Sequence, residues 1–229
     1  MKNIFVLLVA VCLTASLYAK TLRVNFDSGK LEKEWTVEGD AGVSTEQKHS
    51  GTKSLKIVPG STVSYIVSDK NVFGKIAMWV YDAGTNPDKQ ELKKAKNYAF
   101  GGLFGVINED EDKMVFGQIW ADWLHGNTNY NWASSAASSG WAWGSRFYTN
   151  LKRSTGWHKW VIDIPDEKQI DLSMDDNEAG AGFSVDIAKF NKGFTGLYFE
   201  GPSTSHGSIV TEPIHIDDIE IDYKEASKK

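Results

Sequence analysis

Tryptophan is concentrated in one short stretch of this chain. Five of the nine tryptophans lie between positions 120 and 143. An indole packs well on the flat, polarised C–H face of a sugar ring, and polar neighbours can hydrogen-bond to the hydroxyls. The same stretch supplies such neighbours, so its candidate ligand-binding residues are Trp120, Trp123, Asn129, Tyr130, Trp132, Trp141, Trp143, Arg146 and Tyr148.

The spacing within this stretch suggests a binding platform. Trp141 and Trp143 are two residues apart, so an extended backbone places both rings on one side. Together with Trp132 or Trp123 they form the predicted platform. The surrounding residues are rich in Gly, Ser and Asn, which predicts loops of the kind that carry binding residues. The alternative is that tryptophans anchor long loops to a core, and we expect roughly half of the five to do so.

The elements that must position these residues are β-strands. After residue 20, short runs of β-branched and aromatic residues recur between clusters of Gly, Asn, Asp and Ser. This pattern predicts an all-β fold, an antiparallel β-sandwich of the jelly-roll type. The predicted strands are 21–26, 54–58, 62–67, 75–81, 98–107, 113–120, 146–151, 157–164, 195–200 and 214–223.

Alternation within two of these strands separates core from surface. In 75–81, Ile76 and its alternates form the aliphatic core face, which leaves Trp79 and Tyr81 on the other face. Tyr81 therefore joins the candidate ligand-binding residues, while the role of Trp79 stays open. In 157–164, Trp160 faces the core, and His158 on the same face is predicted to be hydrogen-bonded at the rim of the sandwich rather than catalytic. We predict that the scaffold tryptophans are Trp35, Trp157 and Trp160.

The remaining segments predict connections. Residues 88–96 predict a short charged helix after Pro87. The acidic run 109–112 predicts a hairpin tip. The polar stretch 166–190 predicts a long connection with one short helical turn.

The ends of the chain bear on its location. Residues 1–19 combine Lys2, an apolar run and a small-residue exit at Ala19, which predicts a secretion signal and a secreted, periplasmic or cell-surface protein. The single cysteine, Cys12, lies inside this signal, so no thiol nucleophile or disulfide is expected afterwards. Residues 20–224 are predicted to form a single domain and 225–229 a frayed tail. No later stretch is long and apolar enough to span a membrane, and a net charge of −5 argues against a nucleic-acid partner.

Three segments carry a family resemblance. They are NFDSGKLEKEWTVEGD with KHSGTKSLKI (25–40 and 48–57), RSTGWHKWVIDI (153–164) and IHIDDIEID (214–222). Together they resemble the β-jelly-roll carbohydrate-binding modules of bacterial cellulases and xylanases, and more loosely the concanavalin-like sandwiches of secreted glycan-active proteins. The tryptophan-rich stretch lies outside these segments.

The resemblance implies a structural calcium ion where the first and last strands meet. Asp27 and Asp217 occupy the matching positions, with Glu46 as a possible neighbour, and calcium requires six to eight oxygen ligands. The alternative is that these are ordinary carboxylates at the rim of the sandwich. The run 175–177 is a weaker calcium candidate because it lacks the spacing of a calcium-binding helix–loop–helix.

One motif raises the question of catalysis. Glu220, Asp222 and Glu225 have the E-x-D-x-x-E spacing that resembles the catalytic strand of laminarinase-type β-glucanases. In that family the motif lies in the middle of the chain, whereas here it lies at the end. A solvent-exposed terminal strand is therefore the preferred interpretation.

Three functions follow from these observations. The first is an exported, non-catalytic polysaccharide- or glycan-binding protein that uses loop-borne aromatic residues. The second is a secreted polysaccharide hydrolase or lyase on the same fold, with His125, Arg146 and Tyr148 as lyase candidates. The third is a structural subunit of a cell-surface or filament-associated assembly, in which the aromatic side chains make protein contacts.

Overall fold

The computed structural model describes residues 20–84, 99–117, 120–121, 129–134, 147–178, 192–202 and 212–225. Within these ranges the chain forms β-strands and no helix. The strands are β1 (Lys20–Val24), β2 (Trp35–Glu38), β3 (Gly42–Ser44), β4 (Ser54–Ile57), β5 (Thr62–Ile66), β6 (Val72–Asp82), β7 (Ala99–Phe100), β8 (Leu103–Ile107), β9 (Lys113–Gly117), β10 (Trp120–Ala121), β11 (Asn129–Ser134), β12 (Phe147–Lys152), β13 (Gly156–Asp166), β14 (Gln169–Met174), β15 (Asn177–Glu178), β16 (Gly196–Glu200) and β17 (Ile214–Glu225). No helix in the described ranges is long and apolar enough to cross a bilayer.

The strands form two large antiparallel sheets. The first sheet has the order β15-β14-β13-β6-β17-β4-β3, and β1 pairs with the C-terminal part of β17. The second sheet has the order β12-β11-β9-β8-β16-β5-β2. A separate short pair joins β10 to β7. The two sheets pack face to face, which confirms the predicted antiparallel sandwich.

The core lies between the sheets and follows the two-residue period of the strands. From the first sheet, Ile76, Met78 and Val80 of β6 are buried, as predicted; from the second, Leu197 and Phe199 of β16 meet them. Each side chain of this size contributes about 1.5–3 kcal/mol when it is fully buried. Residues between them in sequence face away from the core, and these outward positions carry the candidate chemistry.

Two tryptophans were correctly predicted as scaffold. Trp160 is 1% exposed and packs edge-on against Phe104 and Tyr130. Trp35 is 9% exposed and contacts Phe26 and Tyr65. Both lie at inward positions of their strands.

The prediction of a long connection over 166–190 is wrong in its first part, which forms β14 and β15. Ile170, Leu172 and Met174 are buried and alternate with polar residues, the pattern of a strand with one wet face. Asp175 and Asp176 both have positive φ, 49° and 63°, as a two-residue hairpin turn requires. The 175–177 run is therefore a turn between β14 and β15.

Other local predictions have mixed outcomes. The acidic run forms a hairpin turn between β8 and β9, as predicted, and the Asn108 side chain accepts the backbone N–H groups of Asp110 and Asp112. Strand β17 continues through Glu225 and is paired with both β6 and β1, so it is not an edge strand, whereas the side chains of Glu220 and Glu225 are 44% and 76% exposed, as the interpretation of a solvent-exposed strand predicts. The predicted helix over 88–96 lies outside the described residues.

Candidate functional site

Five ring side chains gather on the outer face of the first sheet. We call this group the aromatic patch: His49, Trp79, Tyr81, Trp157 and His215. Trp79 and Tyr81 come from outward positions of β6, Trp157 from β13 and His215 from β17. The strand register places Trp157, Tyr81 and His215 side by side across three neighbouring strands. His49 comes from the segment between β3 and β4.

The rings of the patch form a continuous series of contacts. His49 lies flat on Trp79, with ring centroids 3.7 Å apart and an interplanar angle of 15°. Trp157 stands edge-on to His49 at 5.8 Å and to Tyr81 at 5.5 Å. Tyr81 is in turn edge-on to His215 at 6.2 Å. All except His215 are half-buried, so the patch combines solvent access with fixed ring orientations.

A β-bulge in β17 fixes the position of His49. The register between β17 and β6 shifts between Asp217 and Glu220, and Asp218 has a positive φ of 44°. As a result both aspartates aim at the segment that carries His49. The Asp217 carboxylate accepts the backbone N–H groups of His49 at 3.0 Å and Ser50 at 3.2 Å. The Asp218 carboxylate lies 2.7 Å from Nδ1 of His49 and accepts the Ser50 hydroxyl at 2.8 Å.

Burial controls the ionisation of His215, which belongs to the patch, and of Asp217. His215 is 2% exposed, and this burial lowers the pKa of its imidazole to about 4, so the ring is neutral at neutral pH. Burial likewise raises the pKa of Asp217, although its bonds from backbone N–H groups oppose the shift. Beside His215, Lys56 forms an ion pair with Glu46 at 2.5 Å. The polar groups around the patch thus carry charges of both signs.

The scaffold prediction for Trp157 is wrong. Trp157 and Trp160 are three residues apart on one strand, so the two-residue period places them on opposite faces of the sheet. Trp160 occupies the core, and Trp157 contributes to the patch. The same period would have identified His215, which alternates with the buried Ile214 and Ile216. No local signal identifies His49, because its position depends on contacts with residues 168 and 169 positions away.

Tyr130 was predicted to bind ligand from a loop, but it lies in β11 and points into the core. It is 1% exposed and packs at 88° against Trp160, with centroids 4.8 Å apart. Its hydroxyl is buried beside Asp82 without a hydrogen bond of normal geometry; burial and the Asp82 charge raise its pKa. Asp82 is itself bound by Arg153, through Nε at 2.9 Å and Nη2 at 2.5 Å. Tyr130 therefore has no exposed ring face to offer a sugar.

The other predicted ligand-binding residues divide between the two sheets and the rest of the chain. Tyr81 lies on the first sheet, in the patch. Trp120 lies in β10 opposite Phe100, Trp132 in β11 opposite Phe147, and Tyr148 in β12 opposite Asn131. The Asn129 side chain donates to the Thr149 carbonyl at 2.8 Å. Trp123, Trp141, Trp143, Arg146 and the lyase candidate His125 lie outside the described residues.

The two carboxylates of the predicted calcium site both bind the segment that follows β3. Asp27 accepts the backbone N–H of Thr52 at 2.6 Å and its hydroxyl at 3.0 Å, which lowers the pKa of Asp27. Asp217 accepts three backbone N–H groups, including that of Asp218. The described ranges bring no three His, Cys, Asp or Glu side chains into an arrangement that could hold a metal ion. Calcium binding at Asp27 and Asp217 stays a prediction.

The acidic side chains of the E-x-D-x-x-E motif bind side chains of β1. Arg23 pairs with Glu220 at 2.9 Å, the Thr21 hydroxyl donates to Asp222 at 2.5 Å, and Lys20 pairs with Glu225 at 3.1 Å. Each acid thus has a partner on the neighbouring strand. In this arrangement the motif stabilises the pairing of β1 with β17.

The sandwich is similar to several solved structures, whereas no family model and no curated protein matches the sequence. One is the cellulose-induced protein Cip1, with a TM-score of 0.54 and 13% identity over 90% of this chain and 97% of that chain. Another is the conserved carbohydrate esterase of the Shiga toxin-encoding bacteriophage phi24B, with a TM-score of 0.53 and 12% identity over 91% of this chain and 100% of that chain. A third is the CBM2 module of the evolved Dit protein of Lactobacillus casei BL23 phage J-1, with a TM-score of 0.52 and 12% identity over 92% of this chain and 99% of that chain. The fold is therefore the β-sandwich that this chain shares with these three proteins, as the sequence resemblance implied.

Proposed function

We propose that this chain is an exported glycan-binding protein that acts without catalysis. The observation that carries the proposal is the aromatic patch on the outer face of the first sheet. Its four half-buried rings are held at fixed angles by the sheet and by the Asp217–Asp218 bulge. A preorganised set of rings loses little conformational entropy when a sugar stacks on it.

The chemistry of the patch fits a polysaccharide surface. Trp157 and Tyr81 meet at 63°, which forms an angled wall against which a sugar ring can pack through its C–H face. Lys56 and Glu46 lie beside the aromatic patch, where their ammonium and carboxylate groups can hydrogen-bond to the hydroxyl groups of a sugar. The patch spans three adjacent strands, about 10 Å at the usual strand spacing, which suits two consecutive sugar rings better than one.

The similar structures support a carbohydrate-related role, and the patch favours binding over hydrolysis. A glycosidase uses two carboxyl groups that face each other across the scissile bond. At the described patch, Asp217 and Asp218 are instead bound to His49 and Ser50. The predicted secretion signal supports export, since a polysaccharide ligand would lie outside the cytoplasm.

The test is retention on polysaccharides. Purified protein lacking residues 1–19 is run through native gels that contain cellulose derivatives, xylan, arabinan, β-glucan or mannan, and is also tested for release of reducing sugar or unsaturated product. We expect retention by at least one polysaccharide, and we expect Trp157→Ala to weaken it by about tenfold, the effect of about 1.4 kcal/mol. Ile66→Ala is the control, because Ile66 is an exposed apolar residue on the other sheet.

Three results would contradict the proposal. No retention by any polysaccharide would remove its basis. Product release that persists after careful purification would assign the chain to the enzymes instead. Equal retention of wild type and Trp157→Ala would show that the patch is not the binding surface.

A further inference from the structure

A half-open cavity lies on the outer face of the second sheet, opposite the aromatic patch. It has a volume of about 220 Å³. Outward-facing residues of β2, β5, β8, β9 and β16 line it: Thr36, Glu38, Thr62, Ser64, Ile107, Lys113 and Tyr198, together with Val63. At about 30 Å³ per water molecule, it holds the equivalent of about seven waters, the size of one sugar ring rather than a chain.

The walls of the cavity are rich in hydroxyl groups. Thr36, Thr62 and Ser64 occupy neighbouring positions of β2 and β5, with Thr36 directly opposite Ser64. The Thr62 hydroxyl donates to the Glu38 carboxylate at 3.0 Å, which fixes that carboxylate at one end of the cavity. Hydroxyls that both donate and accept, together with a positioned carboxylate, match the alternating donors and acceptors of a polyol.

The floor of the cavity is a fixed ring. Tyr198 is 8% exposed, and its hydroxyl donates to Glu200 at 2.9 Å. The ammonium of Lys113 lies over the face of this ring, 4.0 Å from its centroid. Because Lys113 covers the ring, a ligand here is recognised by hydrogen bonds at the walls rather than by stacking, unlike a ligand at the patch.

The charges of the lining select a neutral ligand. Glu38 contributes one negative charge and Lys113 one positive charge, and the Glu200 carboxylate, bound by the Tyr198 hydroxyl and opposite Thr62 in the strand register, lies next to them. An acidic sugar would meet Glu38 and Glu200, and a basic sugar would meet the ammonium of Lys113 over the Tyr198 ring, each at a cost. A neutral ring that carries several hydroxyls meets neither penalty.

We propose that this cavity is a second binding site, specific for a single neutral sugar ring such as the end of a glycan chain. The core of the sandwich separates it from the aromatic patch, so one stretch of glycan cannot occupy both sites. If the patch binds polysaccharide as proposed above, one molecule holds two glycan chains and can bridge them, which raises avidity without new contacts.

The test measures monosaccharide binding independently of the patch. Saturation-transfer NMR and calorimetry are carried out with glucose, galactose, mannose, xylose, arabinose and glucuronic acid. We expect at least one neutral sugar to bind, with glucuronic acid weaker. Ser64→Phe, which fills the cavity with a residue that suits a strand, and Glu38→Gln are each expected to weaken binding by about tenfold.

The control variant is Trp157→Ala, which should leave monosaccharide binding unchanged. Failure of every neutral sugar to bind, tightest binding of glucuronic acid, or unchanged binding in Ser64→Phe would overturn the cavity site. Loss of monosaccharide binding in Trp157→Ala would assign the sugar to the patch instead. Thermal midpoints of the variants separate loss of binding from loss of folding.

Bridging has its own readout. Light scattering of wild-type protein mixed with a retained soluble polysaccharide should rise, and either Ser64→Phe or Trp157→Ala should abolish the rise. Retention on gels without any rise in scattering would show that bridging does not occur. Monosaccharide binding without retention on any gel would contradict the proposed function but leave the cavity site intact, so the two failures are distinguishable.

Discussion

The imidazole of His49 lies flat on the indole of Trp79, with ring centroids 3.7 Å apart and planes 15° apart. His49 is also bound through its backbone N–H to Asp217 and through Nδ1 to Asp218. It therefore links the bulge of β17 to the aromatic patch and sets which face of Trp79 is open to a ligand.

This relationship predicts that ring shape matters more than the imidazole nitrogens. His49→Ala removes the stack that orients Trp79, so it should lower the free energy of unfolding by about 0.5–1.5 kcal/mol and weaken polysaccharide retention. His49→Phe keeps a ring over Trp79 but loses the bond to Asp218, and should retain most of the binding. The measurement is affinity electrophoresis of both variants beside wild type. Equal losses in the two variants would assign the role to the hydrogen bond rather than to the ring.

The buried His215 predicts a loss of stability in mild acid. Its pKa is about 4 in the folded protein and about 6.5 when unfolded, so below pH 6.5 the unfolded chain binds the proton more tightly. The contribution of neutral His215 to the free energy of unfolding is fully present above pH 6.5. It falls towards pH 4, and at pH 5 the loss is about 1–2 kcal/mol. Urea unfolding at pH 7.5 and pH 5 measures this difference.

The matched variant is His215→Asn, whose side chain keeps a polar atom near the Ser54 hydroxyl, 3.3 Å from Nδ1 in the wild type. It should be less stable at pH 7.5 and show a smaller decrease between pH 7.5 and pH 5. An unchanged pH dependence in this variant would attribute the acid sensitivity to other groups. The raised pKa values of Asp217 and Glu200 act in the opposite direction, since protonation of these buried carboxyls favours the folded state as the pH falls.

Alternation in the sequence was enough to predict most of the fold. It placed Met78 and Trp160 in the core and Trp79 and Tyr81 outside it, because in a strand the side chain's face follows from its position. The same rule, applied consistently, would have separated Trp157 from Trp160 and revealed β14 in the run from Gln169 to Met174. These errors came from giving weight to residue type over position.

The candidate site was harder to predict because its parts are distant in sequence. His49 reaches Trp79 only because Asp217 and Asp218 bind the segment before β4, and nothing near position 49 encodes that contact. The lining of the cavity is similarly drawn from five strands, and its residues are common types without a motif. Clustering of tryptophans drew attention to residues 120–143, yet Tyr130 shows that an aromatic residue in that region can belong to the core.

Asp217 predicts both a structural effect and a test for calcium. Asp217→Asn replaces one of the two carboxylate oxygens that accept three N–H groups with an amide group that cannot accept, and should lower the free energy of unfolding by about 1–3 kcal/mol in EDTA as well as in calcium. A bound calcium ion would add a second effect: a rise in the thermal midpoint of the wild type on adding CaCl₂, absent in Asp217→Asn and in Asp27→Asn. If the thermal midpoint of the wild type were equal in EDTA and CaCl₂, the calcium prediction would be wrong. Both aspartates would then have only a structural role, as hydrogen-bond acceptors for residues 49–52.

The ion pair between Asp82 and Arg153 predicts the largest loss of stability. Both side chains are 2% exposed, so removing one partner leaves an unpaired charge in the core. Arg153→Met should lower the free energy of unfolding by about 3–5 kcal/mol, and adding Asp82→Asn should restore part of it, because the remaining amide can still accept the Gly84 N–H.

Urea unfolding followed by tryptophan fluorescence gives both values. Arg23→Met is the matched control: its pair with Glu220 has side chains 73% and 44% exposed, so its loss should cost less than about 1 kcal/mol. If Arg153→Met cost no more than Arg23→Met, burial would not be what makes the first pair important. If the double variant were no more stable than Arg153→Met, the loss would come from the packing of the Arg153 side chain rather than from the charge left on Asp82.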